Sequence, residues 1–393
     1  MSAATPSDAT PSMTGSWARA FIDPAAFSHE QNRLARYWTV LGLTTDIPKD
    51  NDWIRSTLGD RSVFLQRFGD TIRAFENRCA HRHFPLRNAD RGNGVMRCAF
   101  HHWQYDKQGR AVGIPRCPEL FDKTPRELGA TLNPVEIATC GILIFGRFAT
   151  PESNQSLEEY LGDGFPILKA FTSLDKAPRR MTRKVKANWR LPLHISMDDY
   201  HLVAVHPSTF GKNGYLTTGV TYFRFGDHCA YFPGAERDAF DKMVAECRDG
   251  TYDPHRFRIF HFFPNLSAVM FQAPGCWIVM LMQYRAVAMD KSEIRIWYYP
   301  APFQAHKQSK SFRRYTEYVA LGASYYMTRV LGEDNVVNEQ QQAIAVQIAE
   351  PPLLGHHEER IGWFEEAYRR AMNLPPTPVD SRVRENVEKP AEV

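Results

Sequence analysis

Two short segments, Cys79-Ala80-His81 and Cys98-Ala99-Phe100-His101, decide the fold prediction for this chain of 393 residues. Each segment offers one thiolate and one imidazole, and sixteen residues separate His81 from Cys98. Two Cys and two His can hold a [2Fe–2S] cluster in which histidines replace the cysteines on one iron, and this raises the reduction potential to roughly −150 to +300 mV. The spacing therefore predicts redox chemistry.

A zinc site and a chance arrangement are the two alternatives to a cluster at these four residues. A Cys₂His₂ zinc finger usually pairs Cys with Cys and His with His, and then opens a helix. Here each segment mixes the two ligand types and lies among turn residues and short β-like runs. Trp103 and Gly109 follow at positions typical of a hairpin. These features favour an iron–sulfur cluster over both alternatives.

The pattern along the chain predicts four parts. Residues 1–36 are expected to form a disordered tail rich in Ser, Ala, Thr and Pro, followed by a short helix. Residues 37–150 contain short β-like runs broken by turn residues, which predicts an all-β domain that carries the cluster. Residues 151–375 mix strands and helices, and residues 376–393 form a second tail. A polar connector between the two domains predicts the boundary near residue 150.

Hydrophobic periodicity and turn residues also predict individual elements. Gly69-Asp70 should turn a hairpin, and Phe263-Pro264-Asn265 should interrupt the strands of residues 259–286. Lys307 to Gln347 should be mostly helical, with Gly332 as a candidate break.

A second group of residues with metal-binding chemistry consists of Asp198-Asp199-Tyr200-His201 and His206. Two imidazoles and one carboxylate can bind a non-haem Fe(II) and leave positions open for O₂. Because they are five residues apart, His201 and His206 fall on roughly the same side of a helical stretch. The third ligand must come from elsewhere in the chain. An ordinary pair of surface or core histidines is the alternative.

Both groups resemble the signatures of one protein family. Asn77 to Arg82 and Cys98 to Asp106 are similar to the two cluster motifs of Rieske [2Fe–2S] proteins of the ring-hydroxylating oxygenase type. Asn188 to His206 resembles the catalytic-domain motif D-x₂-H-x₄-H that follows an Asn-Trp pair. The resemblance covers about residues 30 to 375. It departs from the family at His102, where Gly is common, and at His83, where small residues are frequent; both are expected to lie at the surface or behind the ligands.

The resemblance implies which residues bind the two cofactors, a [2Fe–2S] cluster and a mononuclear Fe(II). The cysteines would bind the inner iron of the cluster and the histidines the outer iron, which assigns Cys79 and Cys98, then His81 and His101. His201 and His206 match the histidines that bind the mononuclear iron in the family.

The remaining assignments concern acidic residues and one histidine. Asp334 in the Gly332–Asn335 segment resembles the late carboxylate ligand, with Glu333 as the runner-up; an acidic helix start without a metal is the alternative. Asp198 matches the carboxylate that, in the family, joins an iron ligand to a cluster histidine of the neighbouring subunit, and Asp199 is its local competitor. His194 either lies behind the iron ligands or is a hydrogen-bonded buried histidine.

The fold implied by the resemblance is α+β. It comprises an all-β Rieske domain and a catalytic domain whose antiparallel sheet is covered by helices, a helix-grip or START-like arrangement. The implied function is that of a terminal oxygenase α subunit, which hydroxylates an aromatic or similar apolar substrate with O₂. Electrons would come from an NAD(P)H-dependent reductase, directly or through a ferredoxin. Three subunits would form a ring, with or without a small β subunit.

Two alternatives to this function stay open. The first is a Rieske monooxygenase or an oxidative O- or N-demethylase, which shares the two metal centres but transfers one oxygen atom. The second belongs to another class, a non-catalytic Rieske electron-transfer protein.

Composition and the absence of nucleotide-binding motifs argue against other classes of function. The net charge of +4 is too small to argue for nucleic acid, and no apolar run reaches the ~18 residues of a membrane helix. Seven cysteines without a regular framework indicate a reducing compartment, so a cytoplasmic protein is expected. No G-x-G-x-x-G or Walker A motif occurs, so electrons should come from a separate protein. The basic run from Arg179 to Lys186 either attracts an acidic redox partner or is an exposed strand face.

Overall fold

The computed structural model describes residues 19–150, 154–209, 219–303, 309–348 and 350–375. Residues 1–18 and 376–393, which hold the two predicted tails, lie outside the described residues. Within the described part of the chain, no helix has both the length and the apolar character that crossing a membrane requires.

Nine strands fill the first half of the described chain: β1 (Thr39–Leu43), β2 (Asp52–Leu58), β3 (Arg61–Phe68), β4 (Thr71–Glu76), β5 (Arg91–Asn93), β6 (Gln104–Tyr105), β7 (Ala111–Gly113), β8 (Pro134–Cys140) and β9 (Leu143–Arg147). Seven of them form an antiparallel sheet in the order β1-β9-β8-β4-β3-β2-β5, and β6 pairs with β7. The predicted hairpin is confirmed, because Phe68 pairs with Thr71 across Gly69, whose φ is 58°.

Seven strands of the described residues form the sheet of the second half: β10 (Arg179–Val185), β11 (Val220–Phe225), β12 (His228–Pro233), β13 (Arg258–Phe262), β14 (Leu266–Ala273), β15 (Cys276–Ala288) and β16 (Lys291–Pro300). Their order is β10-β16-β15-β14-β13-β12-β11, and every neighbouring pair is antiparallel. The predicted interruption at Phe263-Pro264-Asn265 is confirmed, because β13 ends before it and β14 begins after it. The basic run is the exposed edge strand β10.

Eleven helices in the described ranges accompany the sheets: α1 (Arg19–Ile22), α2 (Pro24–Leu34), α3 (Cys117–Phe121), α4 (Pro125–Leu128), α5 (Leu157–Leu161), α6 (Gly164–Thr172), α7 (Arg190–Ile195), α8 (Leu202–Val205), α9 (Ala239–Asp249), α10 (Lys310–Ile344) and α11 (Glu359–Ala371). The second sheet is covered by helices on both faces because its side chains alternate. Val279 and Leu281 lie in one core with α5, α6 and α9, whereas Met280 and Met282 lie in another with α7, α10 and α11. The predicted α+β fold is confirmed.

The helix α10 differs from the prediction, because it continues through Gly332 without a break. A glycine inside a helix costs about 1 kcal/mol relative to alanine, but packing can override this preference. Leu331 and Asp334 are buried on either side of Gly332. A Cβ at Gly332 would lie 3.1 Å from the Arg183 guanidinium, so the glycine leaves room for this side chain against the helix.

One buried hydrophobic cluster contains strand residues of both sheets. Trp38, just before β1, and Val40 of β1 lie in the same buried cluster as Phe260 and Trp297 of the second sheet. Gln283 Nε2 of β15 donates a hydrogen bond of 2.6 Å to the carbonyl of Val40, and this contact is buried. The helices α1 and α2, grouped with the N-terminal tail in the sequence prediction, also pack into the core of the second sheet. The two halves are therefore joined by buried contacts.

Candidate active site with two metal centres

Two loops of the first half carry the four residues predicted to bind the cluster, and the loops have the same backbone pattern. In each loop, the N–H of the cysteine donates to the carbonyl five residues later, and the cysteine carbonyl accepts the N–H four residues later. These hydrogen bonds, which start at Cys79 and Cys98, are between 2.8 and 3.0 Å long. The repeated pattern gives each loop a tight turn that exposes the residues between its ends.

The residue four positions after each cysteine has a left-handed backbone. His83 has a φ of 59° and His102 a φ of 58°, and both side chains are exposed. A side chain with a Cβ is strained at this φ, whereas glycine is not. The turn itself thus gives a physical reason for small residues at these positions. Both histidines lie at the surface, one of the two locations expected for them.

Burial differs between the two ligand types. The side chains of Cys79 and Cys98 are buried, His81 is half-buried and His101 is exposed, with 4.6 Å between the two imidazole centroids. The His81 ring stacks on Trp103 at 4.8 Å, and its Nδ1 is buried without a hydrogen-bond partner among the described residues. A buried ring nitrogen without a partner fits a metal ligand. The cysteines thus lie on the inner side of the site and the histidines on the outer side.

Tyr105 adds a contact to the cluster site that the sequence prediction did not include. Its hydroxyl lies 3.0 Å from Cys79 Sγ and accepts the N–H of Ala80 at 3.1 Å. Burial raises the pKa of the Cys79 thiol, and the Tyr105 hydrogen bond opposes that rise. Metal binding must remove this thiol proton, so the tyrosine favours the form that binds iron.

The second centre combines the two ends of α8 with the middle of α10. His201 precedes α8 and His206 follows it, while Asp334 is buried in α10. The two Nε2 atoms are 3.2 Å apart, and Asp334 Oδ1 lies 3.0 Å from His206 Nε2 and 3.6 Å from His201 Nε2. Two donors at about 2.1 Å from one metal, and at right angles, are about 3 Å apart. The three side chains therefore fit a facial triad around one ion.

Two carboxylates contact the other ring nitrogens of these histidines. Glu333 Oε2 lies 2.8 Å from His206 Nδ1, and Asp198 Oδ2 lies 3.4 Å from His201 Nδ1. Burial alone would lower the pKa of His206, but Asp334 and Glu333 raise it above its ordinary value. Glu333 is thus on the far side of His206 from Asp334, which supports Asp334 rather than Glu333 as the third ligand. Such outer contacts orient metal-binding histidines.

Asp198 and Asp199 have opposite surroundings. Asp198 Oδ1 accepts the N–H groups of Tyr200 and His201 at 2.6 and 3.2 Å, so its side chain stays with the turn that precedes α8. Asp199 is buried and accepts from Arg360 at 2.7 Å and from Tyr222 at 2.6 Å. Of the two aspartates, Asp198 is the one that contacts the His201 ring, which supports it over Asp199 for the bridging role.

His194 lies in a separate buried network. Its Nε2 is 3.0 Å from Glu365 Oε1, and Arg190 donates to the same oxygen at 2.5 Å. Burial alone would raise the pKa of Glu365, but the Arg190 charge and the His194 hydrogen bond hold it at about 2. These contacts favour the interpretation of His194 as a hydrogen-bonded buried histidine over a place behind the iron ligands. The sequence held no signal for this pairing, because Glu365 lies far along the chain in α11.

Two family models match the chain. The Rieske [2Fe–2S] domain matches residues 37–127, and the ring-hydroxylating alpha subunit catalytic domain matches residues 172–374. Among curated relatives, subunit alpha 2 of the terminal oxygenase component of terephthalate 1,2-dioxygenase from Comamonas sp is 30% identical over 243 residues, which are 56% of this chain and 56% of that protein. The large oxygenase component of naphthalene 1,2-dioxygenase from Pseudomonas fluorescens is 30% identical over 210 residues, 51% of this chain and 45% of that protein. The matched part spans about half the length of these relatives.

Solved structures share the fold over nearly the whole chain. Naphthalene 1,2-dioxygenase from Rhodococcus sp. has a TM-score of 0.68 at 20% identity, and the match covers 92% of this chain and 94% of that one. A quaternary ammonium Rieske monooxygenase has a TM-score of 0.69 at 16% identity, with 91% and 95% covered. The catalytic-domain model alone matches just over half of the chain. The chain therefore belongs to the ring-hydroxylating α subunits, whose cofactors are a Rieske [2Fe–2S] cluster and a mononuclear iron.

Proposed function

We propose that this chain is the terminal oxygenase component of a multicomponent Rieske system and hydroxylates an aromatic or similar apolar substrate with O₂. The observation that carries the proposal is the convergence of His201, His206 and Asp334, whose donor atoms all lie within 4.8 Å of one another. A carrier of electrons alone would need the cluster loops but not a second donor set of this kind.

The residues around the two centres have distinct tasks in this proposal. Cys79, His81, Cys98 and His101 bind the cluster, and His201, His206 and Asp334 bind the iron. When bound, the cluster stores and passes single electrons, and the iron binds and reduces O₂. Asp198 holds the His201 ring in its binding orientation and is the carboxylate that links it to a cluster histidine of a neighbouring subunit. Glu333 holds the His206 ring in the same way from α10.

The proposed partners follow from the exposed part of the cluster site. His101 and its neighbour Phe100 are exposed, which suits electron transfer across a protein contact. We assign the electron supply to an NAD(P)H-dependent reductase, directly or through a ferredoxin, and the assembly to a homotrimer, with or without a small β subunit. All seven cysteines are free and lie in the described residues, which supports a reducing, cytoplasmic location.

The test is a single turnover with purified protein that carries both metal centres. The protein is reduced under anaerobic conditions with a panel of aromatic acids and amines, and ¹⁸O₂ is then added. A product with two ¹⁸O atoms supports a dioxygenase. Purified protein with about one metal per chain, and that metal zinc, contradicts the proposal.

An oxidative demethylase is the second candidate, because a further relative carries that name. The α subunit of N,N-dimethyl phenylurea N-demethylase from Sphingobium sp. is 28% identical over 200 residues. One ¹⁸O atom in the product together with formaldehyde release favours this reaction over dihydroxylation.

The variant His201→Ala tests the non-catalytic alternative. It removes one proposed iron ligand and leaves the cluster loops unchanged. Loss of turnover with an unchanged cluster spectrum excludes a pure electron carrier, whereas unchanged activity rules out the oxygenase.

A further inference from the structure

The turn that carries Asp198 and His201 has little apolar anchorage of its own. None of the four residues of α8, which joins His201 to His206, is buried. Val203 is 59% exposed and Tyr200 is 75% exposed, so these side chains do not pack into a core. A segment with few buried side chains opens easily unless other contacts hold it. Between the buried residues Met197 and His206, its position must therefore depend on polar contacts.

Asp199 supplies such contacts and is buried, with 4% of its surface exposed. Its Oδ1 accepts from the Arg360 guanidinium at 2.7 Å, and its Oδ2 accepts from the Tyr222 hydroxyl at 2.6 Å. Its backbone N–H donates to the carbonyl of His357 at 3.3 Å. Both carboxylate oxygens and the amide thus connect this turn to α11, to the segment just before it and to strand β11.

Arg360 makes this connection costly to break. Its side chain is fully buried in α11, next to the rings of Tyr222 at 5.5 Å and Tyr231 at 5.1 Å. A buried guanidinium needs a paired carboxylate, since an unpaired buried charge is strongly unfavourable. Asp199 is its ion-pair partner, 161 residues away in the sequence.

We propose that Asp199 is a positioning residue for the iron site, through which α11 sets the location of Asp198 and His201. The inference rests on the proposed iron-binding function of His201. Asp199 does not contact the iron ligands with its side chain; it holds the turn on which the adjacent carboxylate and the ligand stand. Without this anchor, the turn loses its fixed distance to His206 and Asp334.

The test compares Asp199→Asn with a matched control, Glu366→Gln. Glu366 is also in α11 and pairs with Arg224 of β11 at 2.8 Å, but both side chains are partly exposed. Two readouts are measured on full-length protein that carries its cluster: Fe(II) affinity by anaerobic titration, and hydrogen–deuterium exchange of the peptide covering residues 197–206.

The expected result is that Asp199→Asn weakens Fe(II) binding by about 10- to 100-fold, as loss of an orienting partner does. Exchange of the 197–206 peptide becomes faster, the cluster spectrum stays unchanged, and Glu366→Gln matches the wild type in both readouts. Tyr222→Phe keeps the ion pair but removes the hydroxyl that contacts Asp199 at 2.6 Å and His357 Nδ1 at 3.3 Å. It therefore provides a milder variant that should shift both readouts in the same direction if Asp199→Asn fails to fold.

Unchanged Fe(II) affinity and unchanged exchange in Asp199→Asn, or in Tyr222→Phe if the former does not fold, overturn the inference. So does an equal effect of Glu366→Gln, because it would reduce the result to general weakening of α11. Failure of the proposed function looks different: wild-type protein then binds no Fe(II), while the exchange comparison still reports whether Asp199 holds the turn.

Discussion

The cluster loops draw all four proposed ligands from residues 79–101, whereas the iron site joins His201 and His206 to Asp334 from a distant helix. The proposed cluster ligands lie on two turns of one small β structure, and backbone hydrogen bonds within each turn stabilise it. The proposed iron ligands meet only when α10 has docked on the second sheet. Local sites depend on turn chemistry and non-local ones on packing, so the two centres should respond differently to substitution.

The largest expected effect is loss of the cluster in Cys98→Ser. The substitution removes one thiolate, for which serine is a poor substitute as an iron–sulfur ligand. The visible absorbance of the cluster should disappear, while anaerobic titration should find Fe(II) affinity at the second centre within about twofold of the wild type, because the two centres share no ligand. Joint loss of both metals would mean that the centres are not independent.

The converse variant, Asp334→Ala, should remove the iron and spare the cluster. Loss of a residue that hydrogen-bonds to a metal ligand typically weakens metal binding by about 10- to 100-fold. Loss of the ligand itself should weaken Fe(II) binding by more than this. Metal analysis and the cluster spectrum report the two centres separately. Gln340→Ala, at an exposed position of the same helix, is the control and should change neither.

A smaller effect is expected for Glu333→Gln, which keeps the size of the side chain and removes its charge. The His206 ring loses a charged partner at 2.8 Å, so Fe(II) affinity should fall by about tenfold. Glu317→Gln is the matched control, because Glu317 is also in α10 but pairs with Lys176 at the surface. If both variants bind Fe(II) as the wild type does, Glu333 does not orient the ligand.

The smallest effect is expected for substitutions of His83 and His102 in the turns of the cluster loops. His83→Gly and His102→Gly should each stabilise the loop by about 1 kcal/mol, because glycine has no Cβ to strain at positive φ. Thermal bleaching of the cluster measures the change. His255→Gly is the comparison, since His255 is exposed but does not have a positive φ, and it should bring no gain. A lower bleaching temperature in both cluster variants would contradict the strain argument.

The cluster site, which is local in sequence, was easier to predict than the iron site, which joins distant residues. The cluster motifs carry their own spacing, so residue chemistry alone indicated the cluster, and the hairpin at Gly69 was predicted from its turn residues. The five-residue spacing of His201 and His206 in a helical stretch suggested that the two act as a pair. Asp334 was chosen over Glu333 only through the family resemblance, because nothing local indicates which of two adjacent acids faces the histidines.

Features that depend on distant packing were missed. The pairing of Asp199 with Arg360 joins residues 161 positions apart, and no periodicity reports such a contact. The break predicted at Gly332 was wrong for a similar reason: glycine propensity is local, whereas the burial of Leu331 and Asp334 beside it is tertiary. Tyr105 lies in the second cluster motif, Cys98 to Asp106, yet its contact with Cys79 forms only when the two loops pack together.

The hydrogen bond from Gln283 to Val40 has a consequence for protein engineering. Because this contact and the core around Trp38 join the two sheets, either half transplanted into a chimaera with a relative would meet a foreign partner surface. A graft cut at the connector would leave a buried carbonyl without its donor and aromatic rings without their neighbours. If the Rieske domain is exchanged between members of this family, β1 and β15 should therefore be transferred together.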